Sequence, residues 1–133
     1  MDKERYSLII VIGLPCSGKT TYCKEKLKNY FLHDDFISNF FDCSLMDDIK
    51  NKRKVVITDP RLCNLKTFHR YMDTFLEYIE KNEIKIILFK NDLEKSIKNY
   101  NKLKKKRNVL DSIKYYSHIY NLSNYTNYNI TII

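Results

Sequence analysis

The densest chemistry in this chain lies in Gly13-Leu14-Pro15-Cys16-Ser17-Gly18-Lys19-Thr20. The spacing is G-x-x-x-x-G-K-[ST], the pattern of a loop that cradles phosphate. Both glycines of the chain and one of its two prolines fall inside it. Successive backbone N–H groups at a loop-to-helix junction aim donors at concentrated negative charge, and the helix dipole adds positive potential. Gly13 and Gly18 allow backbone angles and approaches that a Cβ would block. Lys19 has the length to reach β- and γ-phosphates, and the Thr20 hydroxyl suits Mg²⁺. The expected nucleotide-binding set is Gly13, Pro15, Cys16, Ser17, Gly18, Lys19, Thr20 and Thr21.

Acids complete a phosphoryl-transfer reading. Moving a γ-phosphoryl group to a hydroxyl needs a group that takes the hydroxyl proton and holds the oxygen in line. Asp34 and Asp35, which follow the first helix, are candidates for that catalytic role, although Asp also caps turns. Asp59 ends an apolar run, where a carboxylate can hold Mg²⁺ through water together with Thr20. Arg61 follows and would face the same site, able to grip a phosphate bidentately. A turn-forming Asp-Pro with an exposed arginine is the alternative for that pair.

These residues need elements to position them. Ser7 to Ile12 is an apolar run of strand length before the loop, and Cys23, Leu27, Tyr30 and Phe31 recur at helical spacing after it. A second strand is expected at Asp35-Phe36-Ile37. A short helix from Ser44, with Asp47 three residues on, should end in the basic run Lys50 to Lys54. Val55 to Asp59 is the next strand. Asn64 caps a helix that Leu65, Phe68, Met72, Phe75, Leu76 and Ile79 carry to about Lys81. Ile84 to Phe89 is a strand. Asn91 or Asp92 starts a helix bearing Leu93, Ile97 and Tyr100, and a last helix spans about Asp111 to Tyr120 with Ile113, Tyr116 and Tyr120 inward. Asn121 to Asn127 is expected as a polar loop, and Tyr128 to Ile133 as the closing strand. Strands alternating with helices predict α/β architecture with parallel crossovers and a sheet covered on both faces. Ligands then sit at the carboxyl ends of the strands.

Composition narrows the classes. A chain of 133 residues has the size of one domain, expected over 1–133, and 44% hydrophobic residues suffice for a packed core. No run of about 18 apolar residues suggests a membrane span, and the charged N-terminus is unlike a signal peptide. Cys16, Cys23, Cys43 and Cys63 form no C-x-x-C pair and have no zinc-finger spacing, so reduced thiols and a cytoplasmic setting are expected. The net charge of +8 suits a polyanionic partner, while the abundance of Lys, Asn, Ile and Tyr also fits an AT-rich genome, viral or bacterial.

The chain resembles the P-loop kinase family and, within it, the kinase domain of polynucleotide 5′-hydroxyl kinases. The resemblance rests on Gly13 to Thr20, His33-Asp34-Asp35-Phe36, Ile57-Thr58-Asp59 with Leu62-Cys63-Asn64, and Val109 to Tyr120 after a basic stretch. It implies a P-loop three-layer fold with a five-stranded parallel sheet in the order 2-3-1-4-5. It implies ATP and Mg²⁺ as cofactors and Asp34, the first acid of the pair, as the base, with Asp35 beside it. It also implies a helical lid over the phosphates. The acid-free stretch Lys98 to Arg107 offers Arg107, Lys102 or Lys98 for that duty, unless it is a solvated basic face. One departure concerns the acceptor: Ile37 stands where the resembling enzymes carry an arginine for the acceptor's phosphate. The expected activity is therefore ATP-dependent phosphorylation of a polynucleotide 5′-hydroxyl. A nucleoside, nucleotide or other small-molecule acceptor, or a nucleotide-binding module without turnover, is the alternative.

Overall fold

The computed structural model describes residues 6–38, 44–103 and 108–133. Five strands form one sheet: β1 (Leu8–Ile12), β2 (Phe31–Asp34), β3 (Val55–Thr58), β4 (Ile84–Leu88) and β5 (Asn129–Ile132). Their order is β2-β3-β1-β4-β5, and every pairing is parallel. This is the expected 2-3-1-4-5 arrangement. The helices are α1 (Lys19–Lys26), α2 (Ser44–Lys50), α3 (Leu65–Phe75), α4 (Leu93–Asn101) and α5 (Leu110–Ile119).

Each central strand is buried on both sides, so its apolar residues run without alternation and divide between two cores. Leu8, Ile10 and Ile12 pack with α2, α3 and the chain after α5, through Ile49, Phe68, Phe75 and Tyr125. Ile9, Val11 and Val56 face the other way, toward Cys23 of α1 and Leu27 just after it. Helices thus cover both faces. Lys85 interrupts the apolar run of β4. It is fully buried, and its ammonium donates to Asn129 Oδ1 at 3.0 Å, while Asn129 donates in turn to the Tyr6 hydroxyl.

Caps set several helix starts. The Asn64 side chain accepts from Lys66 N and Thr67 N, and the Asp92 side chain accepts from Lys95 N. Asn91 does a different job, donating to the carbonyls of Ser117 and Tyr120 and so tying the end of β4 to α5.

The structure corrects three expectations. First, β2 occupies Phe31–Asp34 and not 35–37. Phe31, expected on the inner face of α1, is 62% exposed at the start of that strand. Phe36 is buried from within the following turn, against Tyr71 and Phe75. Second, α3 stops at Phe75. Glu80 is extended and forms a reciprocal capping turn with Glu83 that delivers the chain into β4, leaving no room for helix to Lys81. Third, the expected polar loop holds a 3₁₀ turn at Leu122–Tyr125, and Tyr125 is fully buried with its hydroxyl donating to Leu62 O at 2.6 Å. The expected face of α4 is the covered one: Leu93, Ile97 and Tyr100 are half-buried and flank the buried Ser96 at helical spacing. No helix among the described residues is long and apolar enough to cross a membrane.

Candidate phosphate-binding site

The site grows from the carboxyl end of β1. After Ile12 the chain turns through Gly13 to Gly18 and enters α1 at Lys19. Sequence dictates this turn locally. A Cβ on Gly13 would lie 2.8 Å from Phe89 Cβ and 2.9 Å from Ser17 Oγ, distances that real side chains do not tolerate. Gly18 has φ +99°, a conformation that L-residues adopt only with strain. Cys16 also has a positive φ, at 63°. The loop closes on the Leu14 carbonyl, which accepts from Ser17 N at 3.1 Å and from Lys19 Nζ at 2.6 Å.

Lys19 is buried, and that burial lowers its proton affinity below the usual lysine range. Cys63, Asp34, Cys16 and Asp59 pull in the opposite direction. An arriving polyphosphate would favour the charged ammonium, so the site is electrostatically suited to an anion. Ser17 Oγ gives a second, independent sign. It is buried without a hydrogen-bond partner, on the wall of a cleft of about 740 Å³. Gly18, Lys19, Thr20 and Thr21 line the same cleft, and Tyr22, Phe89, Leu103 and Ile133 give it an apolar part. Tyr22 meets Phe89 edge to face, with centroids 5.8 Å apart.

The opposite wall is α4. Lys95, Asn99 and Leu103 line the cleft at four-residue intervals, and Asn99 donates to Cys16 O at 2.8 Å. Lys98 and Lys102, the lysines expected over the phosphates, face a separate groove with Glu94, Ile97 and Asn101. Arg107 lies outside the described residues. Lys95 and Asn99 were missed because a helix face turned to a polar cleft carries no apolar periodicity. The four-residue recurrence of polar groups from the Asp92 cap was the available signal.

A smaller cavity of about 210 Å³ adjoins the cleft at Cys16, Lys19 and Thr20. Pro15, Cys16, Lys19 and Thr20 line it together with Asp34, Asp35 and Pro60. Both acids of the pair therefore meet the loop here. Asp34 ends β2 on the α1 face of the sheet, as the packing of Leu32 there requires. Its Oδ2 accepts from Thr20 Oγ1 at 2.8 Å. Asp35 follows with φ 50° and donates its N–H to Thr58 O.

Asp59 and Arg61 take a different arrangement. Asp59 is fully buried. Its Oδ1 accepts from Arg61 N and Nε, both at 2.9 Å, and its Oδ2 accepts from Arg61 Nη2 at 2.8 Å and Ile37 N at 3.3 Å. The guanidinium expected on a phosphate is thus engaged by the carboxylate expected on the metal. Hydrogen bonding by Asp59, more than its charge, raises the proton affinity of Arg61 above an already high value.

A family model described as Chromatin associated protein KTI12 matches residues 6–125, which spans the loop, the smaller cavity and four of the five strands. The chain belongs to the KTI12 family. This KTI12-family chain has a P-loop NTPase-like fold, consistent with binding of a nucleotide in the cleft described above. It is also similar to the uncharacterized protein R277 of Acanthamoeba polyphaga mimivirus, with 36% identity over 136 residues, covering 99% of this chain and 96% of that protein.

Proposed function

We propose that the protein is an ATP- and Mg²⁺-dependent phosphotransferase whose acceptor is a polynucleotide 5′-hydroxyl. The observation that carries this reading is the 2.8 Å hydrogen bond between Thr20 and Asp34, an acid bound directly to the hydroxyl that ends the phosphate-binding motif. ATP occupies the larger cleft in this reading, with Lys19 and the loop amides on its phosphates and Lys95 at the cleft wall. Thr20 and, through water, Asp34 supply hard oxygen donors that fit Mg²⁺. Bound there, the ion would neutralise charge on the phosphates.

The acceptor hydroxyl enters the smaller cavity. Asp34 takes its proton as the acceptor oxygen bonds to the γ-phosphorus, and the bond from that phosphorus to the β,γ-bridging oxygen breaks, leaving ADP. Asp35 lines the same cavity beside it. The net charge of +8 and the family's description as chromatin associated favour a nucleic-acid acceptor. Ile37, in place of an arginine that would hold an acceptor phosphate, favours the second reading, a small-molecule acceptor.

The test is transfer from radiolabelled ATP to a 5′-hydroxyl oligonucleotide in competition with nucleosides. Transfer to the oligonucleotide that disappears with Lys19→Ala and Asp34→Asn supports the proposal. Labelling of the nucleoside alone moves the assignment to the second reading, and no labelling of either above the Lys19→Ala background rejects both.

A further inference from the structure

Asp59 is the acid that sequence assigns to the metal, yet its surroundings suit another duty. An ionised carboxylate offers about four acceptor positions, and four donors already meet this one: Arg61 N, Nε and Nη2, and Ile37 N. Three come from Arg61, whose charge stands where a cation would have to approach. The hydroxyl of Thr20, the other expected metal group, bonds Asp34 instead.

What the pair does hold is the turn that carries the acids. Arg61 Nη2 also donates to Ser38 Oγ at 2.8 Å. Ile37 N is bound by Asp59, Asp35 N by Thr58 O, and Ser38 N by Asp35 O. The segment from Asp35 to Ser38 is therefore fastened to the end of β3 at Thr58, Asp59 and Arg61. Asp35 has a left-handed backbone, which costs a non-glycine residue energy and persists only where neighbours hold it.

We propose that Asp59 and Arg61 are positioning residues, a buckle that fixes the Asp34–Asp35 acids against the phosphate loop, and that Asp59 does not ligate the metal. The turnover part of this inference rests on the phosphotransferase reading; the metal and backbone parts do not.

Three measurements on wild type, Asp59→Asn and Arg61→Lys test it. Arg61→Lys keeps the charge and is the milder change for folding, because the arginine side chain is 39% exposed. The first is Mn²⁺ binding to the protein–ATP complex, followed by electron paramagnetic resonance. We expect both variants to stay within about threefold of wild type, whereas Thr20→Val weakens binding. A loss of tenfold or more with Asp59→Asn, not shared by Arg61→Lys, would overturn the proposal.

The second is hydrogen exchange. The Asp35 and Ile37 amides should lose about tenfold in protection in Arg61→Lys while β1 amides are unchanged; unaltered protection overturns the buckle. The third is turnover on the accepted substrate, where kcat should fall about tenfold or more with the KM for ATP kept. Wild-type kcat in Arg61→Lys also overturns it. If wild type transfers no phosphate, the phosphotransferase reading fails, and the first two measurements still decide the role of Asp59 and Arg61.

Discussion

The Thr20 hydroxyl donates to Asp34 Oδ2 across 2.8 Å, joining the last residue of the phosphate-binding motif to the last residue of β2. The two come from different layers, α1 and the edge of the sheet. Asp34→Asn preserves shape and an acceptor for Thr20, so the fold should lose no more than about 1 kcal/mol. Phosphoryl transfer should fall by about a hundredfold or more, the scale of a missing general base, with nucleotide affinity nearly kept. Thermal melts, nucleotide titrations and single-turnover transfer measure the three quantities, and wild-type transfer by Asp34→Asn removes Asp34 as the base.

The loop glycines are required for different reasons. Gly13→Ala drives a methyl group into Phe89 and Ser17, and overpacking of this kind costs about 1–3 kcal/mol. Gly18→Ala meets nothing closer than 3.8 Å but must hold φ +99°, at a cost of about 1–2 kcal/mol. Urea unfolding of both should show the losses. Only Gly13→Ala should recover stability when combined with Phe89→Gly, relative to Phe89→Gly alone.

Asn99 fastens α4 to the phosphate loop through Cys16 O. With Asn99→Ala that carbonyl loses its donor at a partly open position, worth about 1 kcal/mol. Global stability should change little, while the Kd for nucleotide rises by about fivefold as the loop loses its support. Calorimetric titration checks it; an unchanged Kd means the loop holds its shape without α4.

Alkaline pH should unfold the protein earlier than its lysine content suggests. Burial pushes the Cys23 thiol to about 11 and the Cys63 thiol to about 12, and raises the Tyr116, Tyr120, Tyr125 and Tyr128 hydroxyls above their ordinary value. These groups ionise first in the unfolded chain. Their stabilisation is complete below the ordinary values of 9.0 for Cys and 10.0 for Tyr, and is lost as pH rises through the folded values. Lys19, depressed by burial, works the other way: its contribution is complete above 10.5 and is lost as pH falls. The several raised groups outweigh it, so urea midpoints should decline between about pH 9 and 12.

Tyr125 joins two parts of the larger core. Its ring lies edge to face on Phe68 with centroids 4.8 Å apart, and its hydroxyl bonds Leu62 O. Tyr125→Phe should cost about 1–3 kcal/mol through the unsatisfied carbonyl. Tyr125→Ala should cost about 3–5 kcal/mol through the cavity. A wild-type midpoint for Tyr125→Phe in denaturant melts would show that the hydroxyl contributes nothing.

The phosphate loop and the central strands were legible because their signals are local and strong. Gly13 to Thr20 matches a spacing fixed by phosphate geometry, and β1, β3 and β4 are unbroken apolar runs. The edge strand was not. Phe31-Leu32-His33-Asp34 is only half covered, so it has neither an apolar run nor alternation, and the buried Phe36 drew the expectation onto the turn. The cleft-lining row of α4 was hidden for a related reason, since Lys95 and Asn99 are polar. The Asp59–Arg61 fork could not be read either. Sequence shows that both side chains come near the site, but whether an arginine meets a phosphate or its neighbouring acid depends on three-dimensional distances.

Lys85 has a consequence at the far end of the sheet from where it sits. Edge strands tolerate slippage, and β5 is an edge strand. Lys85 faces Asn129 as a register partner, and the buried ammonium finds its oxygen only in that alignment. A shift of one residue would set it against Ile130 or Tyr128 and strand a buried charge. This polar contact thus works as an alignment key, and what it keeps level is the pair of strand ends where Phe89 and Ile133 wall the larger cleft.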